Sequence, residues 1–357
     1  MRDALAPDRL TAVQPRDITV LGAGILGIWQ TLTLARRGHR VRLLETSTAP
    51  FATAASRFAG AMLAPYCEEE GAEPLVAELG LEALALWRAT YPGLSANGTL
   101  VVAPARDRPE LARFARMTRG HESVDADAVA RLEPDLAGRF QGGLYFPEEA
   151  HMAPIEAMAF LIEAARRAGA DIRFGVADAL SASIPAATAL PAKGWLIDCR
   201  GLAARDDLPA LRGVRGERVL VRSRDVTLTR PVRLLHPRHP LYVVPWGNGL
   251  CMVGATVIES EDPSPMTLRS ALELLGLAYA LHPGFGEAEI VELGAGLRPA
   301  FPDNVPKVVV PKVVVGRDRL FVNGAYRHGF LLAPILAEIA ADFIDHGRRR
   351  AGILIDG

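Results

Sequence analysis

The stretch Ile18-Thr19-Val20-Leu21-Gly22-Ala23-Gly24-Ile25-Leu26-Gly27, followed through Gly38 by Val41-Arg42-Leu43-Leu44-Glu45, decides how this chain folds. Its first four residues are mostly apolar, partly β-branched, and stop at a glycine, as a buried parallel strand does. Gly22, Gly24 and Gly27 then fit G-x-G-x-x-G. The first permits a tight turn, the second lets backbone approach a pyrophosphate, and the third lets a helix lie close on the strand. The pattern predicts that helix to about Arg37, with Gly38 as its stop, and a second strand over 41–44. Phosphates would sit on the helix N-terminus, where free N–H groups and the positive dipole end favour an anion. Glu45 ends the second strand where an acid takes a ribose hydroxyl, which disfavours a 2′-phosphate and hence NADP. The motif itself leaves FAD and NAD open.

The 357 residues predict two domains, and 50% hydrophobic content is enough for a large core. A formal net charge of −1 gives no general attraction to nucleic acid or to an anionic membrane. Cys67, Cys199 and Cys251 are odd in number and lack C-x-x-C spacing, so they read as buried thiols, neither a disulfide frame nor a metal site. The histidines are scattered and no carboxylates cluster at ligand spacing, so no metal is expected. No P-loop lysine and no G-x-S-x-G elbow is present, which removes kinase and hydrolase readings. Residues 1–16 read as a loose N-terminal extension without the apolar stretch of a signal peptide. With no uninterrupted apolar run of ~18 residues, a soluble cytoplasmic protein is expected.

After Glu45 a loop of small residues, 46–64, lets backbone come close to something bulky, either a cofactor or a tightly packed helix start. Periodicity predicts helices over 75–91, 109–118, 154–167, 267–281 and 330–346, and strands over 99–103, 142–146, 171–174, 195–199 and 320–322. From Gly216 onward, 218–222, 241–244 and 250–254 alternate and are joined by turns, with Gly247-Asn248-Gly249 as a hairpin signal. A further strand is expected over 289–293, and the tandem Pro306–Val310 and Pro311–Val315 reads as a pair of short strands. The expected fold is α/β, α+β overall: a Rossmann-like domain over 17–88, 145–215 and 292–357. Inserted in it is an antiparallel-sheet substrate domain over 89–144 and 216–291.

These pieces together resemble the D-amino acid oxidase-like flavoenzymes, and within them most closely the glycine oxidases of thiamine biosynthesis. The match is carried by the Gly22 turn with Glu45, Ala61-Met62-Leu63-Ala64-Pro65, Asp198-Cys199-Arg200-Gly201 and Leu228-Thr229-Arg230-Pro231-Val232-Arg233. It continues through Tyr242, Gly254-Ala255-Thr256, Gly296-Leu297-Arg298-Pro299 and Tyr326-Arg327-His328-Gly329. The resemblance implies non-covalent FAD, and no cysteine follows Cys251 to attach it. Beside Gly22, Gly24 and Gly27, it implies contacts to FAD from Ile25, Leu26, Glu45, Thr46, Ser56, Gly60, Ala61, Met62 and Val176. The turn Gly324, Ala325, Tyr326, Arg327, His328, Gly329, Phe330 and Leu331 is implied on the same side of the cofactor. Ala61 stands where the family usually has a glycine before its methionine, and Val257 where some members have a methionine.

On the substrate side the resemblance implies Tyr242, Arg298 and Arg327. Arg298, in a stretch that glycine and proline mark as a turn, is suited to hold a carboxylate bidentately. The implied reaction moves a hydride from Cα of glycine or another small amine to the flavin. The imine is hydrolysed to glyoxylate and ammonia or passed on to thiazole, and molecular oxygen becomes hydrogen peroxide. The protein's task is then orientation and electrostatics, with a second helix N-terminus at Gly329 available to an electron-rich group. His328 and His151 read first as packing or hydrogen-bonding residues. The alternative reading is a related D-amino acid dehydrogenase or sarcosine oxidase-like enzyme. A tRNA-modifying flavin domain lacks the basic stripe it would need, and a homo-oligomer, as a tetramer, is what the family suggests.

Overall fold

The computed structural model describes residues 14–176, 194–237, 240–311 and 318–357. Most of the expected N-terminal extension, and 312–315 of the tandem, lie outside them. The opening strand forms as Asp17–Leu21, parallel to Arg40–Leu44 on one side and to Trp195–Asp198 on the other. It is an interior strand of a seven-stranded sheet. The order is Leu354–Asp356, Lys307–Val310, Asp318–Asn323, Trp195–Asp198, Asp17–Leu21, Arg40–Leu44 and Asp171–Arg173. All pairings are parallel except that of Lys307–Val310 with Asp318–Asn323.

The glycine turn produces the close packing that its spacing requires. Gly22 has φ of +92°, and a Cβ on Gly27 would lie 1.9 Å from the Gly22 carbonyl oxygen. Helix Ile25–Arg36 is buried nearly all round because it packs on this sheet, on Pro154–Arg167 and on the C-terminal helix Gly329–His346. Its Gln30 Nε2 donates to the Leu336 carbonyl at 3.2 Å. From helix Pro74–Thr90, Trp87 meets Trp29 edge-on at 4.9 Å and donates to the Phe330 carbonyl at 2.7 Å. These bonds satisfy buried polar groups that would otherwise cost stability.

The second sheet has eight strands. The order is Glu289–Ala300, Arg212–Arg222, Leu250–Gly254, Leu241–Gly247, Val232–Leu234, Thr99–Val102, Gly142–Phe146 and Glu122–Asp125. Pairings are antiparallel except Val232–Leu234 with Thr99–Val102. Helix Leu268–Leu281, capped by Thr267, adds Leu274, Ala278 and Leu281 to an apolar core with Val219, Val243 and Val253. The expected hairpin forms, with positive φ at Gly247, Asn248 and Gly249.

Three expected boundaries fall inside strands of this sheet, at 144/145 within Gly142–Phe146, 215/216 within Arg212–Arg222 and 291/292 within Glu289–Ala300. The last strand also corrects the reading of Gly296 to Pro299 as a turn: Arg298 lies in a long edge strand, opposite Val214. Glycine and proline are tolerated there because the strand is at the edge and another group approaches its backbone. Pro299 then joins the two sheets, its carbonyl accepting from Tyr326 N at 2.9 Å beside the Ala300–Ala325 bridge. Among the described residues no helix is long and apolar enough to cross a membrane.

Candidate active site

Between the Gly22 turn, the 53–62 loop, the Glu289–Ala300 strand and the Ala325–Leu331 turn lies a cavity of about 650 Å³. At one end the Glu45 carboxylate accepts from Ala23 N at 2.8 Å, Ser47 N at 3.0 Å and Thr46 Oγ1 at 3.1 Å. This fixes the acid beside the turn and faces it to the cavity. Ser56 Oγ accepts from Ile25 N at 3.1 Å, so the small-residue loop is tied to the first turn of the helix. Gly24 is the N-cap and offers no side chain there.

The loop holds its alanine in a conformation that favours glycine. Ala61 has φ of +53°, a left-handed conformation that glycine adopts without cost. At Gly60 a Cβ would lie 2.7 Å from Met252 Cε and 3.3 Å from Tyr242 Cε2, so the second sheet's side chains close over it. Gly22, Gly24, Ile25, Leu26, Glu45, Thr46, Ser56, Gly60, Ala61, Met62 and Ala325 through Leu331 border the cavity, as do Tyr242 and Arg298. Gly27, Val176 and Gly324 stand behind its wall. Gly27 packs helix on strand, Val176 N donates to the Glu45 carbonyl at 3.0 Å, and Gly324, with φ of +74°, makes room for Phe301.

At the other end Arg298 is half-buried and its guanidinium lies over Gly216, where a Cβ would be 2.0 Å from Cζ. Nη1 donates to the carbonyls of Thr256 at 3.0 Å and Arg215 at 3.3 Å, and no described carboxylate pairs with it. Burial pushes its pKa down, with Tyr242 and Tyr326 acting against that. Tyr242, its hydroxyl pushed up by burial, shares the neighbourhood with Arg298, Arg233 and Arg327.

Sequence reasoning missed Glu68. It ends the short helix Pro65–Glu68, the first of three successive acids that look like a solvated run. Its carboxylate pairs with Arg233 at 2.7 Å and Arg327 at 2.9 Å, with His328 Nδ1 at 3.4 Å. Burial raises its pKa, but the Arg327 and Arg233 charges outweigh that and hold it ionised. His328 is buried and pushed down to about 4, so it is neutral at ordinary pH and is no ready acid. His151, also pushed down to about 4 by burial, pairs along Met62–Leu63 and lies outside the cavity wall.

The donor set fits a flavin dinucleotide: a glycine turn on a helix N-terminus, an anchored acid for a ribose, and a second helix beginning at Gly329 at the same cavity. Residues 17–343 match the family of FAD dependent oxidoreductases (DAO), and the chain belongs to that family. It is an FAD-dependent enzyme. Over 321 residues it is 49% identical to a Rhizobium etli protein provisionally named thiamine biosynthesis oxidoreductase ThiO, covering 90% of this chain and 94% of the relative. It is 28% identical over 365 residues to glycine oxidase of Geobacillus kaustophilus, covering 92% and 93%. The crystal structure of glycine oxidase from Geobacillus kaustophilus shares the fold, with a TM-score of 0.74 at 23% identity over 95% and 96% of the two chains.

Proposed function

We propose that this enzyme oxidises glycine and similar small amines or amino acids, releasing glyoxylate and ammonia from glycine, with oxygen as the acceptor. The observation that carries the reading is Arg298, a half-buried guanidinium at the cavity whose hydrogen bonds, among the described residues, go only to backbone carbonyls. A partly buried cation without a counter-charge pays some desolvation, and a substrate carboxylate supplies the missing charge in charge-assisted geometry. Tyr242 adds a hydroxyl to the same carboxylate. Arg327 borders the same cavity with its charge shared with Glu68.

Gly22 through Leu26, Glu45, Ser56, the 60–62 backbone and Ala325 through Leu331 would hold FAD. When bound, FAD accepts the hydride from the substrate Cα and hands the electron pair to oxygen. The chain's part is positioning: Arg298 and Tyr242 fix the carboxylate and so the Cα–H bond, and the neutral His328 leaves the helix N-terminus at Gly329 free to favour negative charge. The named relatives support a place in thiamine synthesis, and a cytoplasmic homo-oligomer belongs to the same reading. Anaerobic mixing with glycine, sarcosine and D-alanine tests it. Bleaching of the flavin and peroxide on admitting air are expected, with kcat/KM for glycine falling at least a hundredfold in Arg298→Ala. Unchanged turnover in that variant would overturn the role of Arg298.

A further inference from the structure

Arg298 is not the only guanidinium on this cavity with donors to spare. Arg218 borders the same space and is 2% exposed, and its Nε and Nη1 have no hydrogen-bond partner among the described residues. Its one carboxylate partner among the described residues, Glu292, is 3.2 Å away and is shared with Arg57 at 3.3 Å, so two guanidiniums divide one negative charge. Burial lowers the pKa of Arg218 from the usual guanidinium value, the sign of a cation short of counter-charge.

The strands place Arg218 in line with the carboxylate handle. Gly216, beneath the Arg298 guanidinium, and Arg218 are two residues apart on one strand, so they share a face about 7 Å apart at the backbone. Opposite them in register stand Gly296 and Gly294, which carry no side chain. The resulting trough is covered by one ring, Phe58, whose atoms lie 2.8 and 3.0 Å from where Cβ atoms on Gly296 and Gly294 would be. Phe58 and Trp246 flank Arg218 at 5.4 and 5.8 Å, contacts that an anion's charge-assisted hydrogen bonds outweigh. Phe58 ends the short turn Ala55–Phe58, which has no side-chain cap, and a ligand on Arg218 requires its ring to turn aside.

We infer that Arg218 is a second anion subsite, and that the enzyme takes small amino dicarboxylates, with one carboxylate on Arg298 and the other on Arg218. This rests on the amine-oxidase reading and narrows its substrate class. For N-carboxymethylglycine, one Cα–H leaves as hydride and the nitrogen lone pair forms the C=N bond. The electron pair and two protons pass to O2 as H2O2. Water then cleaves the C=N bond, so substrate, O2 and water give glycine, glyoxylate and H2O2.

The test uses the FAD-loaded enzyme. Glutarate, the carbon analogue of N-carboxymethylglycine, and pentanoate, of the same length with one carboxylate, are titrated against the flavin absorbance. Glutarate is expected to bind at least about tenfold more tightly, and that ratio to fall toward one in Arg218→Met and partway in Arg218→Lys. The kcat/KM ratio of N-carboxymethylglycine over glycine should fall in parallel. Equal affinities in the unaltered enzyme, a comparison that needs no variant, or a ratio unchanged in Arg218→Met would overturn the subsite. Glycine oxidised without a glutarate preference defeats this inference and leaves the oxidase reading standing. A glutarate preference lost in Arg218→Met, with no amine oxidised, does the reverse: it keeps the anion subsite and removes the oxidase.

Discussion

Gly216→Ala tests the carboxylate handle without touching Arg298 itself. The added methyl would sit 2.0 Å from Arg298 Cζ and 2.1 and 2.2 Å from its two terminal nitrogens. Carbon contacts settle near ~3.5 Å, so the guanidinium must retreat by roughly 1.5 Å. That exceeds the slack in its bonds to the Thr256 and Arg215 carbonyls, at 3.0 and 3.3 Å. A misplacement of about 1 Å at a positioning group costs on the order of a hundredfold in rate, or about 2.7 kcal/mol of transition-state stabilisation. The strand should tolerate the change, because Gly216 lies in an antiparallel ladder and not at a positive φ, where alanine would be strained. The assay is anaerobic flavin reduction across a glycine series, with the FAD-to-protein ratio and melting temperature measured on the same sample. The expected outcome is a hundredfold loss in the apparent second-order reduction rate with full FAD content and a melting temperature within a few degrees of the parent. Normal reduction kinetics would refute the assignment of Arg298, since no carboxylate could be held in the same place by a guanidinium forced aside.

Gly27→Ala acts at the other end: its Cβ would meet the Gly22 backbone oxygen at 1.9 Å, and backbone cannot step aside as a side chain can. Overpacking of ~1–3 kcal/mol falls on the turn that faces the phosphates, so the variant should purify largely without FAD, and a normal ratio of flavin to protein absorbance would count against the turn's role. Glu149, buried with one carboxylate oxygen accepting from Cys67 N at 2.8 Å and pushed up to about 7 by burial, predicts a pH effect. Because its folded-state pKa lies above the unfolded value, its contribution to stability is full below about pH 4.5 and is lost as pH rises through about 7. The advantage of Glu149→Gln over the parent in denaturant unfolding should therefore grow by up to about 3 kcal/mol between about pH 5 and pH 8, and parallel stability curves would refute it.

The opening unit was legible because everything that defines it is local: the apolar run, three glycines at fixed offsets and an acid at the end of the next strand. The strand of Arg298 was not, because glycine and proline side by side carry the same local signal in a turn as in an edge strand. What separates the two is Gly216 opposite Gly296, a pairing made across the chain. Glu68 fails for the same reason. Glu68, Glu69 and Glu70 are neighbours in sequence, yet the first turns inward to Arg233 and Arg327 while the others reach Arg119 and Arg113 on the surface. With 40 basic and 41 acidic residues, near-equal numbers leave no visible surplus of either sign. A local surplus becomes readable only once long-range partners have been assigned. After Glu68 is taken by Arg233 and Arg327, and Glu292 is divided between Arg57 and Arg218, Arg298 and Arg218 are left short of negative charge on one cavity wall. Two such cations beside one space, Arg218 buried and Arg298 half-buried, are what the proposed anion sites rest on, because part of the cost of desolvating each is recovered when a ligand brings the missing charge.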